Sequence, residues 1–154
     1  MKLSDYLSES GISTSLVGNN KSEVITNLVN ILTKTTELEN SEKLVEMLEE
    51  RESLKTTGIG SGIAIPHCKS SDVDKVHIII GISKKGIDFK SLDNKPANFF
   101  FLLVAPETSG SEHLKASAKI VRLFREASIR EEILTLDTSS EVIEYIKTKE
   151  EILV

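Results

Sequence analysis

The sequence predicts one α/β domain over residues 1–154, with a central mixed β-sheet flanked by helices on both faces. Three observations predict it. The chain has 154 residues, 39% of them hydrophobic and 28% charged, which suits one core and leaves little room for two. Its periodic segments run helices, then strands, then helices, the order of a sheet covered by helices. The strands between residues 59 and 105 have connections too short for helical crossovers, so at least one strand pair is expected to be antiparallel.

The first 55 residues read mostly as helix. Asn20-Lys21-Ser22-Glu23 resembles a capping box, and Val24, Leu28, Ile31 and Leu32 follow on one helical face. A second helix is expected to start near Asn40 or Ser41. Its apolar stripe is Leu44, Val45 and Leu48, and Arg51 stands near its C-terminal end, where the helix dipole favours a cation.

The middle changes character. Ile59 to Pro66 places Gly60 and Gly62 between β-branched residues and reads as one or two short, kinked strands. Val76–Ile82 and Asn98–Ala105 are nearly continuous apolar runs, as buried strands are. Gly86 and Asp93-Asn94-Lys95-Pro96 read as turns.

Helices return after Pro106. Ser109 and Glu112 have capping-box spacing, and Leu114, Ala118 and Val121 define an apolar face with Ile120 and Phe124 beside it. Ser128 and Glu131 repeat the capping spacing before Ile133 and Leu134. A last helix is expected over Ser140–Lys147, carrying Val142, Ile143 and Ile146.

Composition narrows the function. A formal charge of −5 does not suit a non-specific nucleic-acid binder, which needs a basic face. The longest apolar run, Phe99–Ala105, falls far short of the roughly 20 residues that span a bilayer. The start of the chain lacks the apolar core of a signal peptide. Cys68 is the single cysteine, so no intrachain disulfide forms and a reducing compartment is expected. These points lead to the expectation of a cytoplasmic protein without direct membrane insertion.

Three histidines are present. His77 lies within Val76-His77-Ile78-Ile79-Ile80 and reads as a structural strand residue. His113 falls in the first turn of its expected helix. His67 follows Gly60-Ser61-Gly62-Ile63-Ala64-Ile65-Pro66, with a proline fixing the backbone before it and polar Lys69, Ser70, Ser71 and Asp72 after it. That pattern places His67 at a strand end, rigid and open to a partner.

The segment from Arg51 through Thr56-Thr57-Gly58 to Ile63-Ala64-Ile65-Pro66-His67 resembles the active-site signature of the enzyme IIA domains of the phosphotransferase system. The type is the fructose/mannitol one, which includes the nitrogen-regulatory form. Gly86-Ile87-Asp88-Phe89, Leu92 to Pro96, Phe101 to Pro106 and Glu112-His113-Leu114 extend the resemblance, so that it runs from about residue 3 to residue 148. It implies that His67 is the phosphoryl acceptor and that His113 and Arg51 are its active-site companions. It also implies a histidine phosphocarrier protein as donor, and as acceptor an EIIB component in sugar uptake or, alternatively, a regulatory target. Two departures stand out. Cys68 replaces a common glycine, and Lys115-Ala116-Ser117-Ala118 occupies a stretch where larger apolar residues are commoner.

The chemistry is consistent with those roles. A neutral imidazole is a good nucleophile near neutral pH, its ordinary pKa being about 6.5. The new phosphoryl group brings roughly two negative charges. Arg51 offers a fork of donors, His113 a single hydrogen bond, and backbone N–H groups around Thr57 and Gly58 are expected to help position the phosphate. No Gly-x-x-x-x-Gly-Lys-Ser/Thr motif is present, so the phosphate is expected from a phosphoprotein, with no cofactor. A metal site is disfavoured, since the histidines and Cys68 lack paired ligand spacing. A Cys68–His67 nucleophile pair is disfavoured because adjacent strand residues point to opposite faces.

Overall fold

The computed structural model describes residues 2–153, and among these it holds five α-helices and six strands. Two short 3-10 turns, Leu3–Tyr6 and Glu9–Gly11, lead into β1 (Ile12–Ser13). Helices α1 (Lys21–Leu32) and α2 (Ser41–Leu54) follow. Then come β2 (Gly58–Gly60), β3 (Ile63–Ala64), β4 (His67–Ser70), β5 (His77–Ile87) and β6 (Ala97–Pro106). The chain closes with α3 (Glu112–Phe124), α4 (Ala127–Ile133) and α5 (Ser139–Leu153). Asn20 and Asn40 cap α1 and α2, their side chains accepting from Glu23 N and Lys43 N at 2.9 and 3.0 Å.

The strands form one mixed sheet in the order β1-β5-β6-β3-β2, with β4 also beside β6. Its centre is the antiparallel β5–β6 pair, and β3 and β4 run parallel to β6. Alternation along the strands sorts the core into two layers. Ile78, Ile80, Ile82, Phe99, Phe101 and Leu103 face α3, α4 and α5, where Phe124 meets Phe101 edge-on at 4.7 Å between ring centroids. Ile79, Phe100, Leu102 and Val104 face α1 and α2. Each fully buried side chain of this size contributes about 1.5–3 kcal/mol. The expected helix-covered mixed sheet is what the chain forms.

Several local expectations need correction. Gly86 is no turn: β5 continues through it to Ile87, and the register shifts between Ile82 and Ile87. Its φ of 86° and a Pro96 Cβ lying 2.8 Å from any added Cβ explain the glycine. On α3 the buried face is Ala116, Ile120, Leu123 and Phe124, whereas Leu114 is 62% exposed and Ala118 is exposed. The expected caps at Ser109 and Ser128 are absent. Ser111 and Glu126 precede α3 and α4, with no side-chain cap bond. The last helix is longer than expected. Among the described residues no helix is long and apolar enough to cross a membrane.

Candidate active site

His67 opens β4, and the way β3 and β4 share β6 decides where it points. The pairs Ile63–Phe99, Ala64–Phe100, His67–Leu103 and Cys68–Val104 keep one register. Ile65 and Pro66 interrupt the ladder without inserting a residue. Pro66 has no N–H to leave unpaired, and its carbonyl accepts from Leu103 N at 3.0 Å. Ile65 N instead donates outward to the Thr57 carbonyl at 3.0 Å. Register partners share a face, so His67 lies with Leu103, Ile63 and Ile65 on the α3 side. Cys68 packs with Val104 and Ala64 on the α1–α2 side.

Nδ1 of His67 is 2.8 Å from the Ile65 carbonyl oxygen. A carbonyl can only accept, so this bond requires the proton on Nδ1 and leaves the lone pair on Nε2. The ring is half-buried. It is therefore held in one tautomer while still reachable.

His113 sits in the first turn of α3, three and seven residues before the buried Ala116 and Ile120, on the helix face turned to the sheet. His67 and His113 are thus on the same side of the sheet. Nδ1 of His113 and Oγ of the nearby Ser109 are enclosed and find no hydrogen-bond partner among the described residues. Beside them the Tyr6 hydroxyl donates to Glu112 at 2.8 Å, tying the N-terminal turn to the start of α3.

Arg51 lies in the last turn of α2, on the other face of the sheet. Lys43, Leu44 and Met47 of α2 lie near Ser70 and Ser71, while the Thr57 carbonyl, just past α2, meets Ile65. So α2 runs antiparallel to β4 and brings Arg51 to the His67 end. Its Nη1 donates to the Lys55 carbonyl at 2.9 Å.

Thr57 and Gly58 do not offer their amides to a ligand in this arrangement. Thr57 N donates to the Glu52 carboxylate at 2.9 and 3.2 Å, and Gly58 N to Thr56 Oγ1 at 3.1 Å. Their place is in the loop that supports Ile65. Gly58 is glycine for space, since an added Cβ would lie 2.4 Å from Ser91 Oγ and 2.9 Å from Ser91 Cα. The sequence reading missed Glu52 and Lys21, whose side chains pair at 2.6 Å under this loop. A signal was present: Leu44, Leu48 and Glu52 share one helix stripe, so a carboxylate stands where a third leucine would.

Cys68 is no partner for His67. It faces the opposite side, and burial pushes its thiol up to about 12. His77 is buried at the start of β5 and plays no part in the site. Among the described residues no group of three or more His, Cys, Asp or Glu is placed to hold a metal ion.

His67, half-buried with its Nδ1 tethered, thus stands at a sheet edge, with His113 on the same face and Arg51 at the helix end nearest that edge. Residues 5–149 match the family "Phosphoenolpyruvate-dependent sugar phosphotransferase system, EIIA 2", and the chain belongs to that family. It is 34% identical over 146 residues to the PTS system fructose-specific EIIABC component of Bacillus subtilis, covering 95% of this chain but 23% of that protein. It is 36% identical over 135 residues to a nitrogen regulatory protein of Bradyrhizobium diazoefficiens, covering 86% of each. The crystal structure of nitrogen regulatory protein IIA-Ntr from Neisseria meningitidis superposes with a TM-score of 0.85 at 28% identity, covering 94% of this chain and 98% of that one.

Proposed function

We propose that this chain is a phosphocarrier that accepts a phosphoryl group on Nε2 of His67 from a histidine phosphocarrier protein and hands it to an EIIB component. The observation that carries this reading is the Nδ1 bond to Ile65, because it leaves one nitrogen of the ring as nucleophile. The Nε2 lone pair attacks phosphorus, the donor's P–N bond breaks, and its electron pair returns to the donor nitrogen. The ring gains positive character, which the Nδ1–H to carbonyl bond stabilises.

Phosphoryl transfer asks a protein mainly to position and neutralise. Arg51 and His113 are the groups available for it. The unpartnered Nδ1 of His113 gives a polar atom on the same face as His67. Arg51 neutralises by turning from the Lys55 carbonyl around the sheet edge. Leu54, Ile59 and Leu92, on segments leading into or flanking the support loop, and Leu114 beside His113 are exposed apolar side chains that suit docking of another protein.

The relative from Bacillus favours sugar uptake, and the relatives named nitrogen regulatory proteins favour a second reading, in which the phosphorylation state of His67 controls binding to target proteins. A chase experiment tests the first. Phosphorylated protein is isolated and mixed with an EIIB domain, and transfer of label within seconds supports it. Label retained by the chain across a panel of EIIB domains favours the regulatory reading.

A further inference from the structure

We infer that Glu52 is a positioning residue for His67, acting through Thr57 and Ile65. The inference rests on the phosphocarrier reading of His67. The Glu52 side chain is 4% exposed, and three donors converge on it. Lys21 Nζ approaches at 2.6 Å, Thr57 N at 2.9 Å, and the Thr57 hydroxyl makes a further bond. These contacts hold Thr57 by its N–H and its hydroxyl. Its carbonyl then takes Ile65 N at 3.0 Å, and the Ile65 carbonyl takes Nδ1 of His67 at 2.8 Å. Three hydrogen bonds, joined through the backbones of Thr57 and Ile65, thus link a buried carboxylate to the ring whose tautomer the transfer requires.

Lys21 braces the other side of the same loop. Its Nζ also donates to Thr56 Oγ1 at 3.0 Å, and that oxygen accepts from Gly58 N and donates to the Phe89 carbonyl at 3.2 Å. The peptide N–H groups of Thr57 and Gly58 are therefore both held by side chains.

Stability alone is a poor reason for this pair. A buried ion pair is often no more stabilising than well-packed apolar residues, and position 52 continues a leucine stripe. A carboxylate is needed because all three partners donate. A carboxylate is acceptor-only, whereas an amide would aim its own N–H at one of them.

The test uses the full chain with ¹⁵N-labelled histidine. Neutral His67 in the natural protein is expected as the Nδ1–H tautomer. In Glu52→Gln the tautomers should mix, and phosphoryl transfer to His67 should slow at least tenfold with His67 still the labelled residue. Thr57→Val keeps the backbone donor and removes the hydroxyl, and should shift both readouts in the same direction by a smaller factor. A merely structural role would move the melting temperature and leave the tautomer alone. The inference is overturned if the natural protein holds the Nε2–H tautomer. It is equally overturned if Glu52→Gln keeps the natural tautomer and transfers within twofold of the natural rate. Should Glu52→Gln fail to fold, an unchanged tautomer and rate in Thr57→Val overturns it. A natural protein that accepts no phosphoryl group sinks the phosphocarrier reading instead, and the tautomer comparison still decides the role of Glu52.

Discussion

The ring of His67 is tied to the backbone two residues before it, its Nδ1 lying 2.8 Å from the carbonyl oxygen of Ile65. The bond exists because the β3–β4 line breaks at Ile65–Pro66. Within an unbroken ladder the Ile65 carbonyl would face a neighbouring strand. At the break it is available to an imidazole. Thr57, the neighbour on that side, has its N–H taken by the Glu52 carboxylate and does not compete for the Ile65 carbonyl.

Arg51→Ala and His113→Ala are each expected to slow transfer at least about tenfold, or roughly 1.4 kcal/mol in the barrier. Arg51→Lys should recover part of the rate, since a lysine keeps the charge and loses the planar fork. Melting temperature should move little for these half-exposed side chains, by the equivalent of about 0.5 kcal/mol. Rapid-quench kinetics beside a melting curve check both. Normal rates in both alanine variants would leave His67 acting alone.

Cys68 adjoins His67 in sequence, yet it is expected to be chemically quiet. With its thiol raised to about 12 by burial, the thiolate at pH 8 should be roughly a thousandfold scarcer than for a free cysteine. Alkylation by iodoacetamide should therefore be slow in the native protein and fast in denaturant. Cys68→Ala should be phosphorylated normally. Fast native alkylation would contradict the placement of Cys68 on the α1–α2 face.

His77 gives a signed pH dependence. Burial, with Lys75 adding to it, lowers its pKa below the ordinary value near 6.5. Between that value and the lowered native one, the unfolded chain binds the proton more readily. Its contribution to stability is present above about pH 6.5 and is lost as pH falls through the lowered native pKa. As pH falls through that window, the natural protein should lose stability relative to His77→Gln, read as a falling difference in denaturant midpoint. A difference constant down to pH 5 would refute the assignment.

Gly58→Ala is expected to destabilise the chain by about 1–3 kcal/mol, because its methyl group has no space against Ser91. Since Gly58 belongs to the loop that holds Ile65, transfer should slow as well. Denaturant unfolding and transfer rates read the two effects separately. A neutral substitution would show that β2 and the Ser91 turn can separate freely.

Much of this architecture was legible in the sequence. The helix starts at Lys21 and Ser41 were visible because asparagine caps precede clear apolar stripes. The central β5–β6 pair was visible because strands buried on both faces are continuously apolar. Other features left weaker marks. Strand β1 is two residues long, too short for any period. Two apolar stripes overlap on α3; the sequence pattern favours the one through Leu114, Ala118 and Val121, whereas the sheet takes the Ala116–Ile120–Phe124 stripe. For the site, His67, His113 and Arg51 carried motif signals. The Lys21–Glu52 pair joins residues far apart in sequence, and their partnership depends on how α1 crosses α2. The amides of Thr57 and Gly58 looked available only because that pair was unseen.

The identity of the phosphorylated atom decides between a His67 carrier and any other site. The protein is incubated with phosphoenolpyruvate and the general phosphotransferase proteins, and the product is mapped by mass spectrometry and ³¹P–¹⁵N correlation. The expected product is an acid-labile, base-stable phosphoryl group on Nε2 of His67, absent from a folded His67→Ala variant. Undiminished labelling of that variant, or phosphorus bonded to Nδ1 of His67, would contradict it.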